Sequence, residues 1–436
     1  MIGFAGLSHL GIVSSIATAA KGFEVVAYGE DATLAGSLSQ GEAPFFEPDL
    51  AELLASHRAR LRFTADASDL RECEVIYFSL DVSTDENGKS DLSALETLIE
   101  RVTALASAGT TLVVLSQVPP GFSRGLQRRL ERLEDGRSLQ LFYQVETLIF
   151  GRAIERALSP ERFIVGCYDP QKALPNAYAE LLKAFACPIL PMLYESAELA
   201  KISINMCLVS SVSVANTMAE LCEKIGADWS EVVPALKLDK RIGPDAYLSP
   251  GLGIAGGNLE RDLATVVSLA NEFGTDDGVV DAWIANSRYR RDWALKVIHA
   301  ELISQVENPL IAVWGLAYKQ DTTSTKNSPS LALINALQPF SIRAYDPQVS
   351  LASDRVGPNF VQTDSALAAC DGADALAVMT PWREFSGVDI NGLRELMKGR
   401  VIVDPYGILP GRQAVEAGFS YFNLGSPALR SSLRSD

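Results

Sequence analysis

Two polar side chains near the middle of the chain could together stabilise a negatively charged oxygen. Lys201 and Asn205 are four residues apart in a stretch without Gly or Pro, which places both side chains on one face of a helix. An ammonium beside a carboxamide can hold an oxyanion or a sugar hydroxyl. The alternative is a solvated helix face on which Glu198 pairs with Lys201.

A glycine-rich segment lies further along and ends in Arg261-Asp262, where a helix opens. Its four glycines within seven residues predict backbone amides that can approach a phosphate or a sugar closely. They are Gly251, Gly253, Gly256 and Gly257. The alternative is a flexible surface loop, although such loops rarely end in an Arg-Asp pair at the start of a helix.

Two lysines follow the apolar stretch at 310–314. Lys319 closes the motif Gly315-Leu-Ala-Tyr-Lys, and Lys326 opens the motif Lys-Asn-Ser-Pro. Lysines beyond the carboxyl end of a buried strand suit a phosphorylated ligand.

The first strand is followed by a glycine motif, Gly6-Leu-Ser8-His9-Leu10-Gly11. It reads G-x-S-x-x-G where a dinucleotide-binding turn has G-x-G-x-x-G, and it precedes a helix predicted at 12–20. Gly6 suits the turn, Gly11 permits close helix–strand packing, and the Ser8 hydroxyl could donate to a phosphate. The alternative is a tight turn with no ligand. A hydrolase nucleophile elbow is excluded because Leu10 interrupts G-x-S-x-G.

A dinucleotide-binding domain also needs a ribose-binding acid about 20 residues further on, at the end of the second strand. The strand-end position is Gly29, and the carboxylates of Glu30 and Asp31 come one and two residues later. No arginine stands beside them in the sequence to bind a 2′-phosphate, which favours NAD over NADP.

These motifs are embedded in two similar halves of alternating apolar strands and helices. Strands are predicted at 1–5, 23–29, 74–80 and 111–115, and again at 310–314, 340–346, 374–379 and 400–404; helices include 92–106 and 123–133. Apolar strands alternating with helices predict parallel sheets with right-handed crossovers. The fold class is therefore α/β, with two doubly wound Rossmann-like domains.

A long helix is predicted between these halves. Residues 195–225 contain no Gly or Pro, and Gly226 closes the stretch. We predict that this helix joins the two lobes and packs against a second copy of itself, which gives a homodimer. The expected domains are 1–194 for the dinucleotide, 195–300 for a central helical dimerisation domain, and 301–436 for a nucleotide sugar.

Composition restricts the remaining classes. The formal net charge of −16 opposes nucleic-acid binding. No apolar run approaches the roughly 18 residues of a membrane helix, and no secretory leader is present, so we expect a cytoplasmic protein. Six cysteines without a C-x-x-C pair predict buried thiols, and three histidines without ligand spacing predict no metal site.

Taken together, these stretches resemble the UDP-glucose/GDP-mannose dehydrogenase family over nearly the whole chain. Shorter motifs extend the resemblance: Phe46-Glu47-Pro48, Val118-Pro119-Pro-Gly121, Glu146 with Gly151-x-Ala153-Ile154, Pro160-Glu-Arg162, Tyr345-Asp346-Pro347 and Thr380-x-Trp382-x-x-Phe385. The resemblance implies an oxidoreductase that uses NAD to oxidise a sugar C6 alcohol twice, to a carboxylate. It also implies a nucleotide sugar, first of all a UDP-sugar, as substrate.

The resemblance implies roles for particular residues. Lys201 and Asn205 match the pair that stabilises the oxyanion, Asp262 matches a carboxylate that assists proton transfer, and Glu146 matches a glutamate near the reaction centre. Substrate binding is implied for Arg241, contributed by a partner subunit, and for Tyr247, Gly253 and Lys319. Cofactor binding is implied for Gly6, Ser8, His9, Leu10, Gly11, Gly29, Glu30, Gln117 and Lys326.

Several site positions depart from the family pattern. The nucleophilic cysteine falls on Asn258, and a carboxamide cannot form the thiohemiacetal from which the second hydride leaves. Gln117 replaces a threonine that positions water, Phe150 replaces a second glutamate, and Gly29 replaces the strand-end acid. We therefore predict a dehydrogenase impaired in its second oxidation. The alternatives are a catalytically silent nucleotide-sugar-binding protein and a two-electron dehydrogenase of another nucleotide- or phosphate-linked alcohol.

Overall fold

The computed structural model describes residues 1–85, 88–133, 136–351 and 356–431. They form two compact units, Met1–Ile204 (the N-terminal unit) and Asn205–Asp436 (the C-terminal unit). The boundary falls inside the long helix, at a different position from the predicted limits at 194 and 300. The division into three domains stays a prediction.

The N-terminal unit is built on one eight-stranded sheet within the described residues. Its strands are β1 Ile2–Ala5, β2 Val25–Tyr28, β3 Leu61–Thr64, β4 Val75–Phe78, β5 Thr111–Val114, β6 Gln140–Gln144, β7 Phe163–Cys167 and β8 Ile189–Leu193. They lie in the order β3-β2-β1-β4-β5-β6-β7-β8. All neighbours are parallel except β6 and β7, which are antiparallel. The sheet is therefore doubly wound. Strands β1 to β3 extend it to one side and β4 to β8 extend it to the other, so the order of the strands reverses between β1 and β4.

The central strands are buried on both faces because helices cover the sheet on both sides. Every residue of β1, β2, β4 and β5 is buried, and neighbours such as Phe4 and Ala5 belong to different apolar clusters. This pattern explains why these strands read as continuous apolar runs rather than as alternating ones. The helices of the unit are α1 His9–Ala20, α2 Ala32–Gln40, α3 Leu50–His57, α4 Ser93–Leu105, α5 Phe122–Glu131, α6 Ala153–Leu158 and α7 Asn176–Lys183, with 3₁₀ turns at Arg58–Arg60 and Ala67–Glu72.

The C-terminal unit repeats this architecture with a six-stranded parallel sheet within the described residues. Its strands are β9 Leu310–Trp314, β10 Ser341–Tyr345, β11 Phe360–Gln362, β12 Ala375–Val378, β13 Val401–Val403 and β14 Ser420–Phe422, in the order β11-β10-β9-β12-β13-β14. Its helices are α9 Trp229–Leu238, α10 Asn258–Phe273, α11 Gly278–Arg291, α12 Trp293–Ile298, α13 Pro329–Ala336, α14 Ala366–Cys370, α15 Ile390–Leu396 and α16 Gly411–Glu416, with a π turn at His299–Ile303 and a 3₁₀ turn at Arg383–Gly387. The predicted α/β class with two Rossmann-like sheets is thus confirmed.

Helix α8 spans Tyr194–Ile225, within one residue of the prediction, and ends at Gly226, whose φ is +85°. It is the one helix among the described residues that is long and apolar enough to cross a membrane, with a mean hydropathy of 1.4 over 18 residues. The sequence analysis considered only unbroken apolar runs, whereas polar residues interrupt this helix. Core helices pass the same test, and residues such as Glu198 and Asn205 on this helix are buried and hydrogen-bonded.

Candidate active site

The turn after β1 has the geometry of a dinucleotide-binding turn. Gly6 adopts φ +111°, and a Cβ there would meet the Leu80 backbone at 2.8 Å. A Cβ on Gly11 would lie 1.8 Å from the Gly6 carbonyl oxygen, so this glycine allows α1 to pack directly on the strand. Because β1 and β4 flank the reversal of strand order, the turn opens where doubly wound sheets bind nucleotides. The fold thus fits NAD at this edge.

The remaining residues of the motif are already engaged within the protein. Helix α1 begins at His9, three residues earlier than predicted, so His9 and Leu10 belong to its first turn. The His9 Nε2 lies 2.9 Å from the buried Glu47 carboxylate, and its ring packs against Phe45 and Phe150 at centroid distances of 4.7 and 4.4 Å. The His9 side chain therefore anchors the turn, and only its backbone is placed to face a phosphate.

Glu47, to which the sequence analysis gave no role beyond the motif Phe46-Glu47-Pro48, is a structural carboxylate. It is 4% exposed and accepts hydrogen bonds from the Gly151 N–H at 3.0 Å and the Ala153 N–H at 3.2 Å, in addition to its contact with His9. It thereby ties the turn after β1 to the start of α6. Phe150, where the family pattern has a second glutamate, contributes a ring to the same cluster.

An arginine from another element lies beside the end of β2, and the sequence analysis missed it. Gly29 has no room for a side chain, because a Cβ would lie 2.8 Å from the Leu7 side chain. Arg101 of α4 donates to the Tyr28 hydroxyl at 3.1 Å and forms an ion pair with Glu30. The expectation of no arginine at this site was therefore wrong in space: Arg101 is 71 residues from Glu30 in the sequence, but its guanidinium contacts the Glu30 carboxylate.

Lys201 is held by the segment that follows β6. Its ammonium donates to the Glu146 carbonyl oxygen at 3.0 Å and lies 3.5 Å from the Glu146 carboxylate. Both side chains are largely buried, with 13% and 16% of their surfaces exposed. The ammonium has three N–H groups, and within the described chain Glu146 receives two of them. The third can donate to a substrate oxygen.

The solvated helix face proposed as an alternative for this part of α8 is not observed. Glu198 is fully buried and accepts hydrogen bonds from the Gly121 N–H at 2.6 Å and the Ser123 N–H at 2.8 Å, at the start of α5. It therefore satisfies the unpaired amides of a helix N-terminus and does not pair with Lys201. Burial raises the pKa of the Glu198 carboxyl, while these hydrogen bonds oppose the rise.

Asn205 and Asp262 form a buried pair in the C-terminal unit. The Asn205 carboxamide donates to the Asp262 carboxylate at 2.5 Å, and the two residues are 7% and 1% exposed. Arg261 lies beside them, with its Nε 3.9 Å from Asp262, and donates to the Asn258 carboxamide oxygen at 3.2 Å. Asn258, the first residue of α10, is exposed. A neutral amide therefore occupies the place where the family resemblance puts a thiol.

A second carboxyl, that of Glu260, stands two residues before Asp262 in the first turn of α10. Burial raises the pKa of Glu260 to about 7, and the nearby cations of Lys326, Arg291 and Arg288 oppose this rise. The Glu260 carboxylate accepts a hydrogen bond from the Asn327 side chain. A carboxyl with a pKa near the working pH suits proton transfer, and its shift is not visible in the sequence.

The glycine-rich segment before α10 is a packed connection, and the prediction of available amides was wrong for Gly251 and Gly256. The N–H groups of Gly251, Ile254 and Gly256 donate to Asn216, Ser287 and the Lys326 carbonyl at 2.8, 2.7 and 3.1 Å. Gly253 has φ +76°, and a Cβ there would lie 2.3 Å from the Ser287 carbonyl oxygen. Glycine is needed here because the protein itself approaches the backbone.

The remaining residues predicted to bind the substrate or the cofactor are exposed or partly buried. Arg241 is exposed and forms an ion pair with Asp239 at 2.6 Å, and Tyr247 is about half exposed. Lys319 lies over the Tyr318 ring, and Lys326 lies against Gly257. Gln117 follows β5 and is partly buried. Their roles in binding stay predictions.

Within the part of the chain that the structure describes, the thiols and possible metal ligands indicate no second site. Four of the six cysteines are buried as predicted, whereas Cys187 is partly buried and Cys207 is exposed. Across the described ranges, His, Cys, Asp and Glu side chains form no group of three that could hold a metal ion.

Three family models match the chain in order. Residues 1–186 match the NAD binding domain of the UDP-glucose/GDP-mannose dehydrogenase family, 195–288 match its central domain, and 312–411 match its UDP binding domain. The chain is 28% identical to the UDP-glucose 6-dehydrogenase TuaD of Bacillus subtilis, covering 99% of this chain and 94% of the relative. It is 29% identical to the UDP-glucose 6-dehydrogenase of Pseudomonas aeruginosa, covering 97% and 96% of the two chains.

Solved structures show the same similarity. A UDP-D-ManNAc dehydrogenase from Pyrococcus horikoshii has a TM-score of 0.84 and 25% identity, with 98% of this chain and 99% of that chain covered. A UDP-glucose dehydrogenase from Pyrobaculum islandicum has the same score and identity, with 98% and 97% covered.

The doubly wound sheet with its dinucleotide turn, together with these matches, defines an NAD-dependent oxidoreductase class that acts on CH–OH groups. The chain belongs to the UDP-glucose/GDP-mannose dehydrogenase family. NAD is its cofactor, as the NAD binding domain implies.

Proposed function

We propose that this chain is a nucleotide-sugar dehydrogenase of the UDP-glucose 6-dehydrogenase type that oxidises the C6 alcohol of a UDP-sugar to the aldehyde. We further propose that its second oxidation, to the carboxylate, is impaired. The observation that supports this division is the buried Asn205–Asp262 pair next to Asn258. Groups for alcohol oxidation are present, and the nucleophile for aldehyde oxidation is replaced by an amide.

The first oxidation requires a proton acceptor and stabilisation of the oxygen that loses the proton. Lys201 and Asn205 are one turn apart on α8. The ammonium of Lys201 stabilises the developing alkoxide by charge and hydrogen bonding. Asp262 orients the Asn205 carboxamide and accepts the proton through water. When bound, NAD supplies the hydride acceptor that this oxidation needs.

Product stoichiometry tests this proposal directly. The purified protein is mixed with excess NAD and limiting UDP-, GDP- or dTDP-sugars, and NADH and products are quantified. We expect one NADH per sugar and an aldehyde that a hydrazine reagent traps. Two NADH per sugar with a uronic acid as product would contradict the impaired second oxidation.

Restoring a thiol should restore the second oxidation. In Asn258→Cys the thiol stands at the first position of α10, where the helix N-terminus lowers its pKa and favours the reactive thiolate. We expect the yield to rise from one NADH per sugar toward two, with a carboxylate as product. Asn258→Ser is the matched control, because it has a similar small polar side chain but a weaker nucleophile, and should stay at one. Equal yields from the two variants would argue against a role for this position.

A second candidate function is a silent nucleotide-sugar-binding protein. It is favoured by the Asp81 carboxylate, which lies against the first turn of α1 where the cofactor diphosphate is expected. Thermal stabilisation by a sugar nucleotide, without NADH formation at any cofactor concentration, would select this candidate over the dehydrogenase.

We also propose that the protein is a homodimer that associates through α8. Val214, Met218, Leu221 and Ile225 are exposed and follow the four- and three-residue spacing of one helix face. Such a continuous apolar stripe favours a second copy of the same helix as its partner. Leu221→Glu should convert the dimer to a monomer in light scattering, whereas the control Lys224→Glu should not. A monomeric wild type would contradict the proposal.

A further inference from the structure

Asp81 links the loop after β4 to the dinucleotide turn. Its backbone N–H donates to the Ser8 hydroxyl at 2.9 Å, and that hydroxyl donates to the Ser79 carbonyl oxygen at 2.9 Å. Ser8 thus uses its side chain for contacts within the protein, and the backbone of Asp81 is fixed beside the turn.

The side chain of Asp81 continues this contact into α1. Its carboxylate accepts a hydrogen bond of 3.4 Å from the Leu10 N–H, in the first turn of the helix. In a doubly wound sheet this helix N-terminus is the element that faces the diphosphate of a bound dinucleotide. A carboxylate therefore occupies a position that suits a phosphate oxygen.

The C-terminal unit contains a structural carboxylate, Asp346, that accepts hydrogen bonds from N–H groups after the first strand of its sheet. Asp346 accepts hydrogen bonds from the Leu316 and Ala317 N–H groups at 2.6 and 3.0 Å, directly after β9. It also accepts from the Trp382 indole and is 6% exposed. Asp81, in contrast, is exposed and has one long contact to α1. A ligand can therefore displace the Asp81 carboxylate from the start of the helix.

The charges around Asp81 come from three elements. His9 of α1, which pairs with Glu47, and Glu146 of the segment after β6 both act electrostatically on Asp81. Although the residue as a whole is exposed, neighbouring protein atoms partly desolvate its carboxyl group, and this desolvation raises the pKa of the Asp81 carboxyl. The nearby His9, the Leu10 N–H and Ser8 oppose the rise, while Glu146 adds to it. The carboxylate form is therefore less favoured here than on a free surface.

We propose that Asp81 is a built-in competitor of the cofactor diphosphate, so that NAD binds only when this carboxylate moves away from α1 or takes up a proton. The ionised carboxylate repels a diphosphate that keeps its charge throughout the neutral range. Affinity for NAD should therefore fall as the pH rises through the pKa of Asp81.

Titration calorimetry with the full chain tests this inference. Asp81→Asn keeps the shape and the acceptor oxygen but removes the charge. We expect this variant to bind NAD and ADP-ribose about tenfold more tightly than wild type at about pH 8. Adenosine, which lacks the diphosphate, should bind wild type and variant equally. The matched control is Asp66→Asn, another carboxylate that accepts a helix N-terminal N–H, from Ser68, and it should leave NAD affinity unchanged.

The pH dependence of NAD affinity gives a second test, in which each protein is compared with itself at different pH values. Wild type should lose NAD affinity as the pH rises through the raised pKa of Asp81, and Asp81→Asn should lose less. The inference would be overturned if wild type and Asp81→Asn bound NAD equally well, or if their affinities for NAD depended equally on pH. It would also be overturned if the substitution raised the affinity for adenosine as much as the affinity for NAD. The readout is binding, so it is independent of whether the sugar is oxidised once, twice or not at all.

Discussion

Replacing Lys201 with methionine should lower kcat for sugar oxidation about thousandfold, the loss found when a single oxyanion donor is removed from an enzyme. Methionine keeps the length and apolar stem of lysine, so the change removes the ammonium and its contacts with Glu146. In the proposed mechanism that charge acts mainly on the alkoxide that forms during the reaction, so KM for the nucleotide sugar should change much less than kcat. Steady-state NADH production with a saturating UDP-sugar measures both constants.

Two controls separate catalysis from structure in this experiment. Lys183→Met removes an exposed lysine of α7 whose partner is Glu180, and it should leave kcat unchanged. Lys201→Arg keeps the positive charge but not the compact geometry, and should recover only part of the rate. A kcat for Lys201→Met within tenfold of wild type, in a folded protein, would remove this residue from the proposed mechanism.

Replacing Arg290 with methionine should give the largest loss of stability, about 3–5 kcal/mol. Arg290 is fully buried in the C-terminal unit and contacts Glu220 at 3.4 Å and Glu223 at 3.1 Å. Glu223 also accepts hydrogen bonds from the Trp293 indole and the Gly425 N–H, so this cluster joins α8 to α11, α12 and the segment after β14. Removing the cation leaves a largely buried carboxylate without its charge partner.

Scanning calorimetry should show this loss as a fall of about 10 °C in the midpoint of the transition that contains the C-terminal unit. Arg291→Met is the matched control, because the next residue on the same helix is exposed and pairs with Asp292 at the surface. It should shift the midpoint by no more than about 1–2 °C. Similar shifts for the two variants would mean that burial of the Arg290 pair does not contribute to stability.

Local patterns in the sequence predicted the regular elements well. The stretch 195–225 became α8 at Tyr194–Ile225, and 310–314 became β9 with the same limits. The helix was predictable because an unbroken run of helix-forming residues ends at Gly226, and the strand because both faces of a sheet can bury its apolar run. Both signals lie in residues that are neighbours in the chain. The start of α1 was misplaced because Gly11 was read as part of the turn, whereas it allows the helix to approach Gly6.

The glycine-rich segment shows why composition alone misjudges a loop. Four glycines suggested amides open to a ligand, but whether an amide is open depends on what packs against it. Asn216, Ser287 and the backbone of Lys326 fill that space and accept the hydrogen bonds. These partners come from distant parts of the chain.

By itself, the sequence determined the two α/β halves, the long helix and the spacing that puts Lys201 and Asn205 on one helix face. Only the tertiary structure decided what these groups touch: Glu146 for Lys201, Asp262 for Asn205, Arg101 for Glu30 and the first turn of α1 for Asp81. Periodicity records interactions between near neighbours, whereas each of these pairs is more than 50 residues apart in the chain. They meet because the order of the strands and the packing of the helices bring their ends together, and no local pattern encodes that order.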